Sequence, residues 1–231
     1  MSLFTLSDLH LSLSSDKPMD VFKGWENYVA RIEANWRRVV GPDDTVVIPG
    51  DVSWEMKITD AAADFGFLHA LPGKKILLKG NHDLWWTSRK KMNAFLAEQG
   101  FSDIRILQND ALLVEDRVIC GTRGWLIEES GTDSKLIHRE ALRLQMSLEA
   151  GKQLGDDLLV FLHYPPITRE NRCEELLEVL RAYGCRRVYY GHIHGNAADW
   201  AFEGESEGIT YRLVSCDRVD FTPVWIPPEK K

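Results

Sequence analysis

Five short polar clusters carry the side chains of this 231-residue chain that could do chemistry, and each follows an apolar run. Asp8 and His10 come after residues 3–6, Asp51 after 46–48, and Gly80, Asn81, His82 and Asp83 after 76–78. His163 comes after 158–162, and His192 and His194 after 188–190. A short apolar run bounded by turn residues reads as a buried strand, and open α/β sheets set their chemistry at the carboxyl ends of strands. Five strand ends would then meet on one rim, bringing five of the seven histidines with them. Imidazoles, carboxylates and an amide oxygen make a mixed nitrogen and oxygen donor set, which suits Mn, Fe or Zn better than Ca or Mg.

Such a set could cleave a phosphate ester. That reaction needs an activated water, neutralisation of the phosphoryl oxygens and a proton for the leaving group; two divalent ions about 3.5–4 Å apart supply the first two. A carboxylate shared by the ions must stand on a rigid position, and the Gly50-Asp51 turn at a strand end offers one. Two dications, the carboxylates of Asp8 and Asp51 and a bridging hydroxide sum to one net positive charge, so the centre should attract a phosphate anion. Each motif alone is common as a capped turn or a structural histidine, and it is their joint order that carries weight. His69 and His138 fall on predicted helices and read as packing or surface residues.

The elements that would position these clusters follow from periodicity. Steps of three and four between Phe22, Trp25, Val29, Ile32, Trp36 and Val39 predict a helix that Asp20 can cap and Gly41-Pro42 ends. Further helices are expected over residues 60–71, 88–99, 134–153 and 173–183, the first two stopping at Pro72-Gly73 and Gly100. Alternation of strand and helix up to residue 100 implies right-handed crossovers and a mainly parallel sheet. Residues 104–107, 111–115 and 117–120 are short runs with tight polar separators, the pattern of an antiparallel section. A loop is expected over 121–133, and the runs 209–215 and 221–226 look like a terminal hairpin.

With 44% hydrophobic residues and no repeat, linker or low-complexity tract, residues 1–231 read as one soluble domain, able to bury roughly 70% of its unfolded surface. The formal net charge of -7 argues against nucleic acid as a partner and against a nuclease, because such proteins need a dense basic face. Cys120, Cys173, Cys185 and Cys216 form no Cys-x-x-Cys pair and are expected as free thiols in a reducing compartment. The first predicted strand starts near Leu3, so no signal peptide is expected. No apolar run reaches the ~18 residues of a membrane span, and a cytoplasmic protein without membrane contact is expected. Oligomeric state is left open.

The ordered set Asp8-x-His10, Gly50-Asp51, Gly80-Asn81-His82-Asp83, His163 with Pro165, and Gly191-His192-Ile193-His194 resembles the calcineurin-like metallophosphoesterase superfamily, across residues 8–194. The resemblance implies an α/β fold, a two-sheet β-sandwich flanked by helices, with a dinuclear metal centre. Carried over position by position, one metal would take Asp8, His10, Asp51 and His194, and the other Asp51, Asn81, His163 and His192. His82 would stay off the metals and protonate the leaving oxygen, with Asp83 as a supporting acid. Many members place an acidic residue three positions after the Gly-Asp; Trp54 stands there in this chain, leaving Glu55 or Asp83 as substitutes. The Asp-Arg-Gly of serine/threonine protein phosphatases and dinucleoside tetraphosphate hydrolases is absent, which disfavours both subfamilies.

The expected substrate is a small phosphomonoester or phosphodiester, held at a rim of Trp54, Trp85, Trp86, Arg123 and Trp125. The competing reading puts the tryptophans in the core and pairs Arg123 with an acid such as Glu128. A metal-binding scaffold that kept the fold and lost turnover is the alternative from another class. Scaffolds of that kind usually lack part of the ligand set or the catalytic histidine, and this chain has all of them.

Overall fold

Strand and helix alternate from the start of the chain, in β1 (Leu3–Thr5), α1 (Tyr28–Val39), β2 (Thr45–Ile48), α2 (Ala62–Ala70), β3 (Lys74–Leu77), α3 (Arg89–Glu98) and β4 (Ile104–Ile106). The order resumes with β5 (Ala111–Val114), β6 (Arg117–Thr122), α4 (Ser134–Lys152), β7 (Leu158–Leu162), α5 (Glu174–Ala182), β8 (Arg187–Tyr190), β9 (Gly204–Ser206), β10 (Ile209–Leu213) and β11 (Val224–Ile226). The computed structural model describes residues 1–125 and 134–228.

The strands make two sheets. One has the order β11-β1-β2-β3-β4, and the other β5-β6-β7-β8-β10-β9. Each is parallel in its interior and closed by antiparallel strands: β11 in the first sheet, β5 and β9 in the second. Side chains from both sheets, among them Val47, Ile76, Ile119, Phe161 and Val214, share the core between them. Helices α1 to α3 cover the outer face of the first sheet, around Ile32, Trp36, Phe65 and Phe95. Helices α4 and α5 cover the second, around Leu144, Leu148, Leu176 and Leu180. All five residues of β7 are buried, as expected of a parallel strand covered on both faces. The fold is the two-sheet α/β sandwich flanked by helices that the motif order implied.

Several local expectations need correction. The first helix begins at Tyr28, because Asn27 takes a left-handed backbone (φ 54°); Asp20 accepts the Asn27 amide instead of capping, and Phe22 is exposed. Within the helix, Ile32 and Trp36 are fully buried one turn apart, a burial contributing on the order of 2 kcal/mol for each large apolar side chain. β4 pairs in parallel with β3 in the first sheet, so only β5 and β6 form the expected antiparallel section. The terminal runs are not a hairpin: β10 lies beside β8 and β9, while β11 lies beside β1. Of the expected loop 121–133, residues 121 and 122 belong to β6, and 126–133 lie outside the described residues, Glu128 among them.

The two sheets touch at one end. Ser7, just past β1, bridges in parallel to Ser215, just past β10; the Ser7 amide donates to Val214 (2.8 Å) and the Cys216 amide to Ser7 (2.9 Å). That seam sets the carboxyl ends of β1 to β3 beside those of β6 to β8. All four cysteines are buried and free. Among the described residues no helix is long and apolar enough to cross a membrane.

Candidate active site

The five clusters meet at this seam. Asp8 (φ 60°), His10 (φ 46°), Asp51 (φ 52°) and His192 (φ 71°) all take the left-handed backbone, which is uncommon for residues with a Cβ and costs of order 1–3 kcal/mol. Cross-links hold the turns in that shape. The Asp8 amide donates to the Gly50 carbonyl and the His10 amide to the Asp51 carbonyl. Glycine is needed where the turns abut: a Cβ on Gly80 would overlap Asp51, and one on Gly191 would overlap Ser7 and Asp8.

Asp8 is fully buried and accepts from the His192 amide at 3.0 Å and from Ser215 Oγ at 3.0 Å. Asp51 uses Oδ1 to accept the His82 amide at 2.8 Å. Its other oxygen, Oδ2, looks in two directions, 3.7 Å from His10 Nε2 and 3.5 Å from His163 Nε2. Asn81 Oδ1 sits 2.6 Å from His163 Nε2 and 2.9 Å from His192 Nδ1. His194 approaches His10 edge to face, ring centres 5.4 Å apart. Donor atoms of Asp8, His10 and His194 lie within 4.8 Å of one another, as do those of Asp8, Asp51 and His163. Asp8 is thus common to both donor groups, and Asp51 Oδ2 reaches from the second toward His10 of the first.

His82 is half-buried beside this cluster, 5.5 Å from the His10 ring. Trp54 lies against both, stacked on His10 at 4.8 Å and tilted on His82 at 4.2 Å. Neither Glu55 nor Asp83 holds the His82 ring among the described residues. Asp83 is instead fully buried and accepts five hydrogen bonds, from the amides of Asp51, Val52, Ser53 and Gly80 and from Trp85 Nε1. Through these bonds it fixes the Gly50-Asp51 turn, and none of them reaches the His82 ring. Trp85 is corrected: it is 2% exposed and packs edge to face on Phe65, so it cannot line a substrate rim. Arg123 is mostly covered, with its guanidinium 3.9 Å from Glu140 and over the Trp125 ring.

Sequence reasoning missed Trp25, which it assigned to a helix face; the ring contacts His10 and His194. It also missed Ser215 and Tyr164, the latter tilted on His192 at 4.2 Å. Nothing in their local sequence marked them.

The model of the calcineurin-like phosphoesterase family matches residues 1–196, which include all of the converging clusters. The chain belongs to the calcineurin-like phosphoesterase family. A probable cyclic nucleotide phosphodiesterase from Vesicomyosocius okutanii is 20% identical over 75% of this chain and 69% of its own length. Among solved structures, phosphopantetheinyl hydrolase from Mycobacterium tuberculosis superposes with a TM-score of 0.59 at 15% identity, covering 99% of this chain and 96% of that one. A protein of unknown function from Aquifex aeolicus gives 0.54 at 19% identity, covering 97% and 95%. At such identities the solved structures speak for the fold alone.

Calcineurin-like phosphoesterases are phosphoric ester hydrolases with a dinuclear metal centre, and the residues of this chain fit one. His10 is 1% exposed, yet neither ring nitrogen has a hydrogen-bond partner; left so, a buried polar group costs about 1–3 kcal/mol. Burial, then the charges of neighbouring histidines, holds His10 and His163 well below the usual imidazole range, so both offer neutral lone pairs. Burial pushes the Asp8 carboxyl up to about 6. It pushes Asp51 up to about 9, with Asp8 and Asp83 adding repulsion. Neutral imidazoles around carboxylates that resist ionisation are a donor set short of positive charge, and divalent ions supply it.

Proposed function

We propose that this phosphoesterase hydrolyses a small phosphomonoester or phosphodiester, using two divalent ions and His82 as general acid. Mn is the favoured metal, with Fe or Zn as alternatives for the same mixed donors. Asp8, His10, Asp51 and His194 would hold one ion, and Asp51, Asn81, His163 and His192 the other. When bound, the metals supply charge neutralisation and an activated water.

The observation that carries this reading is the position of Asp51 Oδ2, between His10 on one side and His163 on the other. His82 belongs to neither donor group. It opens instead on a cavity of about 390 Å³, shared with Met19, Phe22, Trp25, Trp54 and His194. A leaving group seated there would rest on apolar and aromatic surface with its oxygen toward the imidazole. Trp54 limits how far that ring can turn, which is the task given to an acid elsewhere in the family. The cyclic nucleotide phosphodiesterase name borne by one relative supports trying nucleotide diesters early.

Metal analysis after loading with excess Mn should approach two equivalents per chain, and Asp51→Asn should weaken both sites. The loaded protein should hydrolyse p-nitrophenyl phosphate, bis-p-nitrophenyl phosphate or a member of a cyclic nucleotide panel. One equivalent at saturation, or an Asp51→Asn variant with full occupancy and activity, would overturn the dinuclear reading.

A further inference from the structure

A second cavity, of about 300 Å³, lies beside the metal rim between the end of β3 and α4. That volume is at the small end of ligand sites. Among the described residues its walls bring together Lys79, Arg123, Arg139 and Arg143 with a single carboxylate, Glu140. Glu140 is fully buried and already engaged, by Arg143 Nη1 at 2.6 Å and Thr122 Oγ1 at 3.0 Å. Among the described residues, one acid against four cations leaves three positive charges in excess. Among the described residues neither Lys79 nor Arg139 has an ion-pair partner, and Arg123 Nε is buried without a hydrogen-bond acceptor. Gathering like charges in a concavity is unfavourable unless an anion joins them.

The cavity is tied to the catalytic rim through the chain itself. Lys79 stands two residues before Asn81, a step of at most about 7 Å between Cα atoms. The carbonyl of Arg123 accepts the amides of His163 (3.1 Å) and Tyr164 (2.8 Å), so the guanidinium is carried by the segment that also fixes a metal donor. None of these residues lines the apolar cavity around His82. A phosphodiester at the rim therefore has an apolar surface for its leaving alcohol and a separate cationic one for the ester arm that stays behind.

We infer that the cationic cavity takes a second phosphate of the substrate, so that this chain cleaves a phosphodiester whose retained arm carries that phosphate on a short spacer while the other arm leaves as an alcohol. Arg123 and Arg139 would hold that phosphate by charge-assisted hydrogen bonds, which are shorter and stronger than neutral ones, and Lys79 would lie between it and the scissile group. The inference rests on the reading of the rim as the place where a phosphoester is cut.

The test compares two inert probes on Mn-loaded protein by titration calorimetry: propylphosphonate, and propane-1,3-diyldiphosphonate, which adds one anionic head. Their carbon–phosphorus bonds resist hydrolysis, and titration into Mn buffer subtracts chelation. The diphosphonate should bind at least about tenfold more tightly. That preference should shrink severalfold in Arg139→Gln, whose side chain is exposed on α4 and expendable for folding, and again in Arg123→Gln. Equal affinities for the two probes, or a preference kept whole in both variants, would overturn the inference. Turnover of p-nitrophenyl phosphate by the same samples is read separately. If turnover is absent while the preference and its loss in the variants are present, the cavity stands and the phosphoesterase reading falls. If turnover is present without the preference, the reverse holds.

Discussion

His82 packs on Trp54 and opens on the apolar cavity, and it belongs to neither group of donors. A proton donor so placed contributes about 10²- to 10⁴-fold, in proportion to how badly the leaving oxygen needs a proton. His82→Ala should keep its metal content and lose far more activity on alkyl than on nitrophenyl phosphate esters. Metal loss in that variant would make His82 a ligand, and equal losses on both esters would assign it to holding the phosphate. The histidines and aspartates were legible in the sequence because each follows an apolar run. Trp85 was not, since its side chain turns inward and Trp54 outward from equally polar neighbourhoods, and adjacency to a motif does not say which way a ring points. Asp83 was legible as important but not as to role, because three of the four amides it accepts belong to a turn 30 or more residues earlier in the chain.

At the scale of elements, the turn after β2 and the turn after β3 are held to each other mainly by the Asp83 carboxylate, with Asp51 adding a bond back to the His82 amide. Asp83→Asn should remove at least one of the hydrogen bonds to Asp51, Val52, Ser53 and Gly80, a loss of about 1–3 kcal/mol. Thermal unfolding should show Tm falling by several degrees, with weaker metal binding because Asp51 is no longer held in its left-handed turn. Unchanged Tm and metal content would show that the turn needs no such support. Helix and strand positions were readable from periodicity, but partner choice was not. β4 looked antiparallel and joined β3 in parallel; β10 and β11 looked like neighbours and went to different sheets, because the chain crosses at Ser215 from one sheet to the other. No local pattern encodes which edge a short strand will join.

For the whole molecule, the buried carboxylates make stability depend on pH and metal together. Asp51 is raised to about 9 and Asp8 to about 6, from an ordinary value of 3.8. The folded, metal-free protein therefore holds protons that the unfolded chain releases, and their contribution is complete below about pH 3.8 and lost as pH rises through about 9. Between pH 7.5 and 9 the depressed histidines are neutral in both states, and the Asp51 contribution gives a falling slope to which the buried thiols of Cys120 and Cys185, pushed up to about 12 by burial, add in the same sense. Chelated protein should lose Tm across that window, while Mn-loaded protein should hold or gain it, because the ions take the place of the proton. A flat profile for the chelated form would show that Asp51 is ionised without metal. The seam at Ser7 and Ser215 adds a mechanical consequence. Asp8, His10, Asp51 and Asn81 follow strands of the first sheet, whereas His163, His192 and His194 follow strands of the second. Ions shared across that line would act as a clasp against shear, so the amides of Ser7 and Cys216 should exchange with deuterium more slowly once Mn is bound, while those of β4 and β9, at the outer edges, should not notice.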